Sequence, residues 1–183
     1  MKIGFVGTGH MGGSLAVALG GCGADLYLHN RTRSKAEALA ASIGPQAHVA
    51  TLEEAVGCDY VLLGVKPKDV EALLADPAWG KAQGIIVSMV AGLPLARLQA
   101  MLPKAKLVRI LPNTPVAVGE GLTLVCFGEG IDSAVQAEFA RLMGSTGRLA
   151  PISEDKLDAA SVLTGSAPAY LDYFVDALIQ AGV

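Results

Sequence analysis

Five short segments of this 183-residue chain hold residues whose types and spacing could do chemistry. The first is Gly7-Thr8-Gly9-His10-Met11-Gly12. In that spacing Gly7 permits a tight turn, Gly9 lets backbone approach an anion closely, and Gly12 lets a helix pack against a strand. The N–H groups and positive dipole end of such a helix suit a pyrophosphate. The second is Asn30-Arg31-Thr32, followed by Arg33 and Lys35, with no acid between Asp25 and Glu37. A carboxylate at this place would accept from a ribose 2′-hydroxyl and repel a 2′-phosphate. Guanidinium groups bind a 2′-phosphate through charge-assisted bonds. The segment therefore favours NADP(H), with NAD(H) possible, and counts against S-adenosylmethionine. A solvated basic start to the next helix is the plainer reading and stays open.

The other three segments follow later strands. Val65-Lys66-Pro67 and Val90-Ala91-Gly92 end two of them, and Leu111-Pro112-Asn113-Thr114-Pro115 ends another. Asn113 and Thr114 would bring an amide and a hydroxyl to a nicotinamide or a small substrate. An Asx-type turn between two prolines explains Asn113 equally well. Lys66 reads either as a phosphate or ribose partner or as a surface lysine.

A glycine turn means little unless a strand precedes it and a helix follows. Here residues 1–6 read as a short buried strand, residues 14–19 as helical, and residues 25–29 as a second strand. Further strands are predicted at 48–50, 60–65, 85–90, 107–111, 122–127 and 148–152. Helices are predicted at 34–43, 94–101 and 133–143. Thr51 and Glu54 form the spacing of a capping box at the start of one more. This alternation predicts a doubly wound α/β sheet, whose ligands bind beyond the carboxyl ends of the strands.

After residue 152 strand signals stop. Residues 154–163 read as a helix, Thr164-Gly165-Ser166-Ala167-Pro168 as a break or kink, and residues 169–181 as an apolar helix with only Asp172 and Asp176 charged. A helix apolar over most of its circumference must be covered. A partner chain or a longer protein would cover it; folding back on its own sheet is the alternative.

Composition excludes several classes. With 52% hydrophobic and 17% charged residues the chain can bury a core. A net charge of −3 offers no broad basic face for nucleic acid. Cys22, Cys58 and Cys126 lack paired spacing, and His10, His29 and His48 form no ligand pattern with them, so neither a disulfide framework nor a metal is expected. Gly4, Gly7 and Gly9 interrupt the first apolar run, which does not read as a signal peptide. The uncharged stretch at 82–96 is too short to span a bilayer. A cytoplasmic protein without a membrane partner is expected.

Taken in order, the glycine turn, Asn30-Arg31-Thr32, Val65-Lys66-Pro67, Val108-Arg109-Ile110-Leu111-Pro112-Asn113-Thr114-Pro115 with Gly119-Glu120-Gly121, and Thr164-Gly165-Ser166-Ala167-Pro168-Ala169-Tyr170 resemble the pyrroline-5-carboxylate reductase family. Leu111 and Thr164 depart mildly from its pattern. The resemblance implies an N-terminal Rossmann domain, residues 1–152, followed by the start of an all-helical dimerisation domain, residues 153–183. It implies an oxidoreductase of proline biosynthesis that reduces the cyclic imine to L-proline with NAD(P)H, acting as a homodimer or larger homo-oligomer. Gly7, Thr8, Gly9, His10, Met11, Gly12, Asn30, Arg31, Thr32, Val65, Lys66, Pro67, Ala91 and Gly92 should line the cofactor. Asn113 and Glu154 should lie near the substrate. No catalytic residue is assigned. The family's later Gly- and Thr-rich substrate loop has no counterpart in residues 1–183, so the chain is expected to be incomplete.

Two rivals share the front half. A β-hydroxyacid dehydrogenase would place a lysine on the helix after a glycine-rich turn, yet the last lysine, Lys156, precedes Gly165. A deazaflavin-dependent NADP reductase is not suggested by the Gly165-Ser166-Ala167-Pro168-Ala169-Tyr170 segment. A non-catalytic NADP-binding module differs in class and would bind without turnover.

Overall fold

The structure is a computed structural model that describes residues 1–182. Eight strands form one sheet in the order β3-β2-β1-β4-β5-β6-β7-β8. They are β1 (Lys2–Val6), β2 (Asp25–His29), β3 (Ala47–Val49), β4 (Tyr60–Leu63), β5 (Ile85–Ser88), β6 (Lys106–Leu111), β7 (Gly121–Phe127) and β8 (Gly147–Pro151). The first six run parallel. β7 turns back antiparallel on β6 and pairs in parallel with β8. β1 lies between β2 and β4, with Ile3 opposite both Leu26 and Tyr60. All eight strands fall where the alternation predicts them, within two residues at each end.

The central strands are apolar throughout because both faces are covered. Alternate side chains enter opposite layers. Ile3 and Phe5 pack with Leu15 and Leu19 of α1 (His10–Leu19), whereas Val6, Val61 and Leu63 pack with Ile86, Val90 and Leu98 on the other face. Helix α2 (Arg33–Ile43) stops at Gly44, whose φ of 112° lies in the left-handed region. The capping box at α3 (Leu52–Val56) forms: the Glu54 N–H donates to Thr51 Oγ1 at 3.2 Å, and the Thr51 N–H donates to Glu54 Oε2 at 2.8 Å. α5 (Leu95–Met101) and α6 (Ser133–Leu142) also lie where predicted, the latter capped by Asp132.

Two features differ from expectation. A 3₁₀ turn (Pro67–Asp69), helix α4 (Val70–Leu74) and a second 3₁₀ turn (Pro77–Lys81) lie between β4 and β5. Each is too short for a helical period to show, but together they bury Val70, Leu74 and Trp79. The second difference is at the end of the chain. α7 (Glu154–Ser161) does not break at residues 164–168; it passes through a π-helical turn (Val162–Ser166) into α8 (Ala167–Ala181). Pro168 has no N–H for the carbonyl four residues earlier and its ring would clash there. A widened turn accommodates both.

α7 packs on β7 through Leu157, which is fully buried against Leu124 and Cys126. α8 buries none of its residues. Tyr170, Leu171, Tyr173, Phe174, Leu178 and Ile179 are each more than half exposed. The helix does not fold back on its own sheet.

Candidate cofactor site at the carboxyl edge of the sheet

The strand order reverses between β1 and β4, with β2 and β3 added on one side and β5 and β6 on the other, which places a crevice beyond the carboxyl ends of these two parallel strands. The strand ends are tied together there. The Gly7 N–H donates to the His29 carbonyl at 2.9 Å, and the Gly64 N–H donates to the Val6 carbonyl at 2.9 Å. The three glycines of the turn then separate by function. Gly7 has φ 98°, and a Cβ on it would stand 2.7 Å from the Gly64 carbonyl oxygen. A Cβ on Gly12 would stand 2.3 Å from the Gly7 oxygen. A Cβ on Gly9 would meet nothing within 4 Å. The fold therefore requires the first and third glycines, while the middle one keeps open the space in front of α1. Gly9 is also the N-cap of α1, with no side-chain cap and no acid in the first turn. The first N–H groups of that helix are left for a ligand.

Thr8 and Asn30 brace this turn. Asn30 Nδ2 donates to the Thr8 Oγ1 at 2.8 Å, and Thr8 is buried. The Thr32 N–H donates to Asn30 Oδ1 at 3.4 Å. Asn30 thus joins the end of β2 to the glycine turn. His10 is exposed and Met11 half-buried at the first turn of α1. Arg33 is engaged with Glu37, Nε to Oε1 at 2.9 Å. Arg31 is 88% exposed and makes a long ion pair, Nη1 3.8 Å from Asp69 Oδ1. Thr32 caps α2 without a side-chain bond.

Val65 packs beside Gly7: a Cβ there would lie 2.9 Å from Val65 Cγ1. Lys66 and Pro67 are exposed at the next turn. Ala91 and Gly92 are exposed beyond β5, Gly92 with φ 67°. The residues predicted for the cofactor therefore lie on the loops beyond β1, β2, β4 and β5 and on the first turn of α1.

Asn113 and Glu154 already have partners. Asn113 Oδ1 accepts from the Leu122 N–H at 2.8 Å, and Nδ2 donates to the Thr164 carbonyl at 3.1 Å. That carbonyl is the one Pro168 leaves without its helical donor, so Asn113 completes the π turn. Glu154 Oε1 accepts from the Leu95 N–H at 2.8 Å and from Arg109 Nη1 at 3.0 Å. Arg109 itself was read only as part of a motif. It is 2% exposed, and its Nη2 donates to Asp158 Oδ1 at 2.8 Å. The signal was an arginine within the apolar run Leu107-Val108-Arg109-Ile110-Leu111, which demands partners when buried. Glu154 and Asp158, one helical turn apart, supply them.

Burial pushes Cys58 up to about 11. It also raises Cys126, with the Glu154 charge adding to the effect. Both stay protonated at neutral pH and are poor nucleophiles. Among the described residues no three His, Cys, Asp or Glu gather to hold a metal, and no helix is long and apolar enough to cross a membrane.

A mostly parallel sheet with a glycine turn and an open helix N-terminus at its switch point defines a Rossmann-type dinucleotide-binding oxidoreductase fold. Comparison with known proteins agrees. A family model described as NADP oxidoreductase, coenzyme F420-dependent, matches residues 2–92, which is the front of the chain only. Pyrroline-5-carboxylate reductase of Corynebacterium melassecola is 31% identical over 189 residues, covering 99% of this chain and 70% of that protein. The structure of 1-pyrroline-5-carboxylate reductase from Streptococcus pyogenes superposes with a TM-score of 0.88 at 28% identity, over 100% of this chain and 70% of that one. Plasmodium falciparum pyrroline carboxylate reductase with NADP bound gives 0.85 at 27% identity, over 100% and 69%. The chain belongs to the pyrroline-5-carboxylate reductase family. It spans about two thirds of the length of the curated relatives it matches.

Proposed function

We propose that this chain holds NADP(H) in the glycine turn and serves the reduction of 1-pyrroline-5-carboxylate to L-proline. The observation that carries the reading is the open space at Gly9 in front of the uncapped N-terminus of α1. A methyl group would fit there without touching protein, so the fold alone gives no reason for a glycine. A pyrophosphate does.

The roles follow from the geometry. Gly7 to Gly12 receive the pyrophosphate. Asn30 fixes the turn, and Arg31 with the Thr32 hydroxyl meets the 2′-phosphate, which places NADP(H) ahead of NAD(H). Val65, Lys66, Pro67, Ala91 and Gly92 form the wall on the nicotinamide side. When bound, the nicotinamide supplies the hydride that converts the C=N carbon into a CH₂ group. The protein's part is to align the ring and the imine and to exclude water. A protonated imine is already electrophilic, so no strong protein acid is required. Asn113 and Glu154 border the substrate space. The Glu154 charge is balanced by Arg109, and its second oxygen is the one available to a cationic imine nitrogen.

Residues 1–152 act as the cofactor domain and α7–α8 as the beginning of a helical domain. The exposed apolar side chains of α8 are covered by a second copy in a homodimer or larger homo-oligomer. A cytoplasmic location fits the three free cysteines.

The test is NADPH oxidation in the presence of pyrroline-5-carboxylate, with L-proline identified as product. Imine-dependent oxidation with equal formation of proline is expected. NADPH binding without turnover, in this chain and in one extended at its C-terminus, would overturn the reductase reading. Oxidation of a 3-hydroxy acid with NADP⁺ would favour the dehydrogenase rival instead.

A further inference from the structure

Helix α5 begins at Leu95, and its N-cap is Pro94, which brings no side-chain acceptor. The acceptor comes from 59 residues away: Glu154 Oε1 takes the Leu95 N–H at 2.8 Å. The same oxygen accepts from Arg109 Nη1, and Arg109 is fixed in turn by Asp158. Leu95 lies three residues beyond Gly92, at the end of the loop assigned above to the nicotinamide wall. Gly92 has a positive φ and open space around it; Val90 and Leu93 on either side are buried, and the Leu95 N–H bond to Glu154 holds the loop where it enters α5.

We infer that Glu154 is a positioning residue for the cofactor. From the first turn of α7 it clamps the start of α5 and so fixes the loop at Ala91 and Gly92. The inference rests on the proposed cofactor site but concerns a residue outside it. The argument is one of charge and reach. Arg109 is almost fully buried and needs a carboxylate close by. Asp158 is mostly exposed, and its carboxylate bonds Arg109 without reaching α5. Glu154 alone joins Arg109 to α5. Any shift of α7 and α8 therefore moves Leu95, and with it the loop that faces the nicotinamide half.

NADPH titration without substrate tests this, with thermal unfolding recorded for each variant. Glu154→Ala should weaken NADPH binding about tenfold, the size of a lost charge-assisted hydrogen bond. Glu154→Gln keeps an acceptor for Leu95 and should restore most of that binding. Asp158→Asn lowers stability but should leave affinity within about twofold, since it does not reach α5. Should Glu154→Ala fail to fold, Glu154→Asp serves: one methylene shorter, it cannot hold Leu95 and Arg109 together, and several-fold weaker binding is expected. Unchanged affinity in a folded Glu154→Ala or Glu154→Asp protein overturns the inference. Equal losses in Glu154→Ala and Asp158→Asn also overturn it, because they would trace to the buried arginine alone. A wild-type chain that binds no NADPH would instead refute the cofactor site on which the inference stands.

Discussion

The glycine turn allows fold and binding to be separated by two substitutions three residues apart. Gly9 has φ −70° and ψ −167°, a conformation any residue adopts, and its missing Cβ faces open space. Gly9→Ala exchanges a tolerable N-cap for a poorer one and removes freedom from the unfolded chain. These effects oppose each other, so stability should stay within about 0.5 kcal/mol. The new methyl would occupy the space assigned to the pyrophosphate and should weaken NADPH binding by at least about tenfold, or about 1.4 kcal/mol. Gly12→Ala is the opposite case. Its Cβ would lie 2.3 Å from the Gly7 backbone oxygen, closer than real Cβ contacts come, so strand and helix must separate. Overpacking of this kind costs about 2 kcal/mol, which for a chain of this size lowers Tm by roughly 4–8 °C. Thermal unfolding and NADPH fluorescence titration on both variants measure the two effects. A Gly9→Ala protein that binds NADPH like wild type would refute the reasoning. So would one that loses as much stability as Gly12→Ala.

Further outcomes follow from the same geometry. Arg31→Ala should weaken NADPH about tenfold and leave NADH nearly unchanged, because only NADPH carries the 2′-phosphate; comparative titration decides it, and equal losses would remove Arg31 from that role. Asn113→Ala leaves the Leu122 N–H and the Thr164 carbonyl without their partner and should cost about 1–3 kcal/mol, with faster amide exchange across residues 162–168. Glu54 is held below its ordinary value chiefly by the Thr51 backbone N–H, then by the Thr51 hydroxyl. A lowered carboxylate stabilises the fold above its unfolded pKa and loses that contribution as pH falls through the folded value. Glu54→Gln should flatten this part of the acid limb in a stability–pH profile.

What could be read from the sequence was local. The glycine turn stands at residue 7 directly between a strand and a helix, and the capping box at Thr51 and Glu54 spans three residues. The apolar circumference of α8 is visible in composition alone, and the helix proves to be exposed. The partners of Asn113 were not visible: Leu122 and Thr164 lie 9 and 51 residues away, brought to it only by the turn into β7 and by the helical end of the chain. The π turn follows from Pro168, yet a proline predicts a break as readily as a bulge. Arg109 carried a legible demand for partners, but which acids would answer depended on how α7 packs against the sheet. α4 and its flanking 3₁₀ turns are each about one turn long, below the length at which a helical period declares itself.

The most direct measurement of the central claim follows the transferred hydrogen. NADPH deuterated at the transferable C4 position is incubated with pyrroline-5-carboxylate, and the product is examined by mass spectrometry and NMR. The account requires L-proline carrying one deuterium on the ring carbon that had been double-bonded to nitrogen. Proline without deuterium, or no proline from a chain that binds NADPH, would contradict it.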